Sequence, residues 1–142
     1  MVFGRSSKTV LFQKVTLFRD LSRKQLEQVT RLADEVDVEA GRRLATVGES
    51  GHELFVVVEG YATVSAGRGR RARIGPGEFF GEMSLVDGGP RSANVDAETD
   101  MRLLVVGRRE FWELLHAAPS LGRKIMETLS RRVRDAEAEV SA

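Results

Sequence analysis

The pattern of apolar and polar residues divides the chain into a glycine-rich centre and two glycine-poor ends. Twelve of the fourteen glycines lie between Gly41 and Gly107. The segments between these turns have the alternation or the apolar continuity of β-strands, and residues 54–58 are apolar on both faces, as in a strand between two layers. The predicted strands are 43–47, 54–58, 61–65, 71–74, 92–96 and 101–106. Short strands joined by closely spaced turns predict a mainly β protein, an antiparallel β-roll of the jelly-roll type.

Helical spacing precedes this central region. Leu21, Leu26, Val29 and Leu32 recur at the intervals of one helix face, and Ser22 stands where it can cap the first turn. We therefore expect a helical N-terminal part that ends shortly before the first strand.

Two more helices are predicted after the central region. The first covers residues 108–116, and its Phe111 and Trp112 are expected in the core. The second begins at Pro119, a residue well suited to the first turn of a helix. Its apolar stripe is formed by Leu121, Ile125, Leu129 and Val133.

The length and composition are those of one globular domain. The chain has 142 residues, of which 42% are hydrophobic and 30% charged, enough to bury a core without disulfides. We expect residues 1–142 to form a single domain, with a helical part at 15–35, a β-roll at 36–107 and closing helices at 108–140.

Several function classes are disfavoured by composition. There is no cysteine, and the two histidines, His52 and His116, are far apart in the sequence, so thiolate and three-histidine metal sites are excluded. The formal net charge of +1 argues against a surface devoted to nucleic acid. The first residues lack the apolar run of a signal peptide and no stretch approaches a membrane span, so a cytoplasmic protein is expected.

Residues 79–95 carry the candidate chemistry. Gly81 allows close approach of the backbone, and the turn predicted at 82–86 would direct its free amides toward an anion. Arg91, which follows a Gly-Pro turn, offers planar charged donors to a phosphate. Glu82 offers a carboxylate to a hydroxyl group. Together these groups match the sugar-phosphate of a nucleotide.

This segment closely resembles the phosphate-binding cassette of cyclic nucleotide-binding domains. The resemblance rests on two runs separated by a fixed gap and extends over most of the chain, including the helices at both ends. The first run is Phe80-Gly81-Glu82-Met83-Ser84-Leu85, and the second is Pro90-Arg91-Ser92-Ala93.

The resemblance implies a role for each position. Arg91 would pair with the cyclic phosphate and Glu82 would hold the ribose 2′-hydroxyl. The purine would lie on the roll, and Arg132 of the last helix would stack over it as a lid. The remaining implied ligand-binding residues are Phe80, Gly81, Met83, Ser84, Ser92 and Ala93 around the sugar-phosphate, and Val64 and Ile74 beneath the base.

The resemblance also indicates the ligand. In this family a threonine at the position of Ser92 often accompanies a preference for cGMP, whereas alanine or serine is usual in cAMP sites. We therefore expect cAMP to be favoured over cGMP, with no further cofactor, no metal and no chemistry on the nucleotide. Binding would reposition the two closing helices.

Two other interpretations remain open. A metal-dependent enzyme on a similar roll would need a histidine and carboxylate cluster that the sequence does not show. A degenerate roll would act only as a protein-interaction module, although the buried charge of an intact Arg91 would then be costly to keep. No helix-turn-helix follows the last helix, so direct DNA binding is not expected. The downstream partner, a separate protein or a fused effector, is unknown, and the last helix also offers a stripe for a homodimer.

Overall fold

The computed structural model describes residues 18–82 and 88–141. This part of the chain contains eight strands and three helices, joined by turns and loops. A 3₁₀ turn at Gly67–Gly69 joins two of the strands. In chain order the elements are α1 (Arg23–Leu32), β1 (Asp34–Val38), β2 (Arg43–Ala45), β3 (Glu53–Glu59), β4 (Ala62–Ser65), β5 (Arg71–Ile74), β6 (Phe79–Phe80), β7 (Asn94–Ala97), β8 (Met101–Gly107), α2 (Arg108–Ala117) and α3 (Pro119–Ser141).

The strands form two four-stranded sheets with the orders β1-β8-β3-β6 and β2-β7-β4-β5. Every pairing between named strands is antiparallel. In the first sheet Val56 lies opposite Leu104, and in the second Val64 lies between Ala72 and Val95. The predicted antiparallel β-roll with flanking helices is therefore confirmed.

Strand β3 separates two apolar clusters, which explains why its residues are apolar on both faces. Phe55 and Val57 face the second sheet and pack in the cluster between the two sheets. Leu54 and Val56 point the other way, into a cluster that all three helices contribute to. Successive side chains of a strand alternate between its faces. Burying each such side chain stabilises the fold by about 1.5–3 kcal/mol.

Helix α1 begins as the sequence predicts. The Ser22 hydroxyl accepts a hydrogen bond from the Gln25 amide at 3.1 Å, and the Gln25 side chain accepts one from the Ser22 amide at 3.0 Å. This reciprocal capping box satisfies two donors that the helix itself cannot. The helix then buries Leu26 and Val29. Gln25 also donates to the Ala117 carbonyl at 3.4 Å, which ties α1 to the end of α2.

Trp112 of α2 lies outside the core, contrary to prediction, and Val133 at the end of the predicted stripe on α3 is exposed as well. Trp112 is 48% exposed, whereas Phe111 is buried, because consecutive residues are about 100° apart around a helix. Val133 is 56% exposed, because the apolar cluster that covers Leu121 and Ile125 extends along α3 only as far as Leu129.

The strand predictions differ from the structure in two places where periodicity is weak. Strand β1 begins at Asp34, within the predicted helical part, and is not recognisable as apolar because it carries acidic residues at a sheet edge. Strand β6 has only two residues, too few to show a period.

Two predicted strands are shorter than expected near the cassette. Strand β2 ends at Ala45, because the chain turns there and the Glu49 amide donates to the Thr46 carbonyl at 3.1 Å. Strand β7 begins at Asn94 rather than residue 92. The side-chain oxygen of Asn94 accepts a hydrogen bond from the Val47 amide at 2.8 Å, beyond the last regular pairing of β2 with β7. The residues just before Asn94 therefore lie outside the sheet.

Among the described helices, none combines the length and the apolar character needed to span a membrane.

Candidate functional site

The backbone around Arg91 is fixed by the loop that follows β2. A bridge joins Ser50 and Pro90. The Arg91 amide donates to the Glu49 carbonyl at 2.8 Å, and the Arg91 carbonyl accepts from the Gly48 amide at 2.9 Å. These bonds hold the start of the second cassette run against a loop more than 40 positions away in the sequence.

The Arg91 side chain is directed inward and is only 8% exposed. Its two terminal nitrogens donate to the carbonyls of Gly81 and Glu53, at 3.2 and 3.1 Å. The guanidinium carbon lies 5.6 Å from the centroid of the Phe55 ring. The guanidinium is thus held by neutral carbonyls and an aromatic face.

Two glycines make room for this guanidinium. A Cβ atom at Gly51 would lie 2.0 Å from Nε of Arg91, and one at Gly81 would lie 2.5 Å from its Nη1. Gly81 also has a φ of +92°, a conformation that residues with a side chain rarely adopt. Both positions therefore require glycine for the arginine to occupy its site.

The charge of Arg91 is not neutralised by a hydrogen-bonded carboxylate within residues 18–82 and 88–141. Burial lowers the pKa of Arg91, and the negative charges of Glu53 and then Glu82 oppose this lowering. Arginine nevertheless remains protonated in proteins. A buried cation that lacks an ion-pair partner is suited to binding an anion.

Glu82 provides a carboxylate on the same side of the roll. It follows Gly81 directly, is 5% exposed, and is paired with Arg132 of α3 through Nη1 and Oε1. The other terminal nitrogen of Arg132 donates to the Phe79 carbonyl at 2.7 Å. Helix α3 is in this way attached to β6 and to Glu82.

These groups surround a cavity of about 320 Å³. Its wall combines apolar strand residues with the charged groups of Arg91, Glu82 and Arg132. Nine residues predicted from the sequence line it: Val64, Ile74, Phe80, Gly81, Glu82, Arg91, Ser92, Ala93 and Arg132. Two more, Met83 and Ser84, lie outside the described residues. The structure thus brings the described candidates together, while their roles toward a ligand remain predictions.

Five cavity residues were not predicted. Ala72 and Val95 lie opposite Val64 in the two neighbouring strands, so they could have been found from the strand register once Val64 was chosen. The sequence gives no comparable reason to place the other three at the cavity. They are Ala45, Arg73 and Glu78.

The cavity can bind a small anion that also carries a hydroxyl and an apolar group. Arg91 supplies the positive charge, the Glu82 carboxylate accepts hydrogen bonds, and Val64 and Ile74 form an apolar wall. In the described part of the chain, no group of three or more histidine or acidic side chains is placed to hold a metal ion.

Known proteins are similar to this chain in sequence and in fold. A family model described as cyclic nucleotide-binding domain matches residues 35–118. A cyclic nucleotide-gated potassium channel of Mesorhizobium japonicum, mll3241, is 37% identical over 122 residues, which are 86% of this chain and 34% of the channel. The cyclic AMP receptor protein of Thermus thermophilus is 36% identical over 105 residues, 70% of this chain and 49% of that protein.

A solved structure agrees with the sequence matches. The crystal structure of the Thermus thermophilus catabolite activator protein superposes with a TM-score of 0.79 at 30% identity, covering 88% of this chain and 61% of that one. The chain therefore spans about a third to a half of the length of these two curated relatives. The matched proteins are channels and regulators rather than enzymes.

Proposed function

Since this chain belongs to the cyclic nucleotide-binding domain family, we propose that it is a sensor that binds cAMP in preference to cGMP and performs no chemistry on it. The observation that carries this proposal is the buried Arg91, held by the carbonyls of Gly81 and Glu53 and facing a cavity beside Glu82. Its charge is available to an anion. We propose the cytoplasm as the location of the domain.

The pose follows from the positions of the charged groups. The cyclic phosphate would accept hydrogen bonds from Arg91 and from cassette amides. The ribose 2′-hydroxyl would donate to Glu82. The purine would then extend along the roll over Val64 and Ile74. Ser92, exposed at the cavity, would lie beside the sugar-phosphate, and its identity favours cAMP by the family resemblance.

Titration calorimetry tests this proposal. We expect saturable binding of one cAMP per chain, weaker binding of cGMP, and much weaker binding of 5′-AMP, whose phosphate is not closed into a ring and carries an additional charge. The protein should first be shown to be folded and free of nucleotide. If neither cyclic nucleotide binds, the proposed function is wrong and the degenerate, protein-binding interpretation replaces it.

We propose that the closing helices transmit the bound state. A direct contact connects α3 to the cassette, because Arg132 of α3 bonds to Glu82. A ligand shifts a conformational equilibrium only by binding one state more tightly. Movement of α3 would reach an effector segment, or a second copy of the chain, through its exposed Met126 and Val133.

Hydrogen exchange checks this coupling. Saturating cAMP is expected to slow amide exchange in residues 119–140 by stabilising the docked position of α3. Residues 34–38 of β1 form an internal control, because β1 neither lines the cavity nor contributes to the apolar cluster that the closing helices share. Unchanged exchange in 119–140 despite confirmed binding would show that nucleotide is bound without repositioning the last helix.

A further inference from the structure

Arg132 bridges three structural elements with one guanidinium group. Nη1 binds the Glu82 carboxylate, Nη2 donates to the Phe79 carbonyl at 2.7 Å, and the guanidinium carbon lies 4.8 Å from the centroid of the Phe79 ring. Its terminal nitrogens are therefore directed at protein acceptors rather than toward the position expected for a purine.

The carboxylate of Glu82 is bonded to this arginine through one of its two oxygens. Among the described residues, the hydrogen bond that its carboxylate accepts comes from Arg132, through Oε1. The second oxygen, Oε2, has no hydrogen-bond donor there. A carboxylate has lone pairs for several donors, so a hydroxyl in the cavity can bind Glu82 while Arg132 remains bound.

A second arginine near Glu82 could also attract its carboxylate. The charge of Glu82 also acts on Arg91, and the carboxylate lines the same cavity as both guanidinium groups. Arg132 is the one that hydrogen-bonds it. Removing Arg132 leaves the carboxylate free to rotate toward Arg91.

We propose that Arg132 is a positioning residue for sugar recognition: it holds Glu82 in the orientation that accepts the ribose 2′-hydroxyl. This inference rests on the proposed function. It differs from the lid that the family resemblance implies, because Arg132 then acts through a carboxylate and not by stacking on the base.

A comparison of cAMP with 2′-deoxy-cAMP tests the inference. Calorimetry on the full chain is expected to show that Arg132→Ala weakens cAMP binding by about tenfold or more. Its effect on 2′-deoxy-cAMP should be clearly smaller, because that ligand has no hydroxyl for Glu82 to accept. Arg131→Ala, at a neighbouring arginine that bonds to Thr128 instead, is the matched control and should leave both affinities unchanged.

Two further variants separate positioning from other effects. In a Glu82→Ala background, Arg132→Ala should have little additional effect on cAMP, since the acceptor that it orients is already removed. Arg132→Lys keeps the charge but cannot bridge both acceptors, so an intermediate ratio of the two affinities is expected. This variant also keeps the test possible if Arg132→Ala does not fold.

Two results would overturn the inference. In one, Arg132→Ala weakens cAMP and 2′-deoxy-cAMP equally, and its effect on cAMP adds to that of Glu82→Ala. Arg132 would then contact the nucleotide without acting through Glu82. No change in either affinity would show that it only fastens α3. A failure of the proposed function has a different signature, because the unmodified chain would then bind neither ligand.

Discussion

Replacing Arg91 with alanine is expected to weaken cAMP binding by roughly 30- to several-thousand-fold, equivalent to about 2–5 kcal/mol. The Arg91 guanidinium is buried beside the cavity and forms no ion pair with the described residues. Its hydrogen bonds to two backbone carbonyls already hold it in place. Its loss removes the permanent positive charge that would attract and neutralise the cyclic phosphate. Calorimetric titration of wild type and variant measures the effect directly.

A matched arginine gives the control for this prediction. Arg43→Ala removes the same charge from the roll, but Arg43 pairs with Asp96 on the surface and does not line the cavity. Its cAMP affinity should stay within about threefold of wild type, because exposed ion pairs contribute little. Equal losses for Arg43→Ala and Arg91→Ala would mean that only the overall charge matters, and would contradict the assigned site.

Adding one methyl group at Gly51 is expected to displace the Arg91 side chain and to weaken cAMP binding. The new Cβ of Gly51→Ala would lie 2.0 Å from Nε and 2.2 Å from the guanidinium carbon of Arg91. The arginine must move and lose its alignment to the Gly81 and Glu53 carbonyls. We expect a loss of about tenfold or more in cAMP affinity, and about 1–3 kcal/mol in the free energy of unfolding from overpacking.

Gly67→Ala serves as the comparison for Gly51→Ala. A Cβ at Gly67 meets no atom within 4 Å, and neither glycine has a positive φ. The two substitutions therefore change backbone entropy alike but differ in what the methyl group contacts. Calorimetry and thermal unfolding of both variants check the result. Unaltered cAMP affinity in a folded Gly51→Ala protein would show that the position of Arg91 seen here is not needed for binding.

Local sequence signals located much of the fold and the candidate site. Ser22 and Pro119 stand at helix starts as predicted, because capping and first-turn preferences are local. Arg91 and Glu82 were found because the cassette combines several residue types at fixed spacing. The central strand β3 was recognisable because both of its faces are buried.

What the sequence could not supply depends on distant contacts. The pairing of Arg132 with Glu82 joins residues 50 positions apart, and it follows from how α3 lies against the roll. The need for glycine at position 51 arises only because Arg91 fills the space beside it. Strand β1 was missed because its acidic residues pair with Arg102 of β8 instead of filling a core.

A crystal structure of the chain with cAMP is the most direct test of the proposed site. We expect phosphate oxygens within hydrogen-bond distance of Arg91, about 2.7–3.2 Å, the ribose 2′-hydroxyl on Glu82, and the purine against Val64 and Ile74. Nucleotide bound elsewhere, or in this cavity with its phosphate away from Arg91, would show that Arg91 does not bind the phosphate and that the proposed site is wrong.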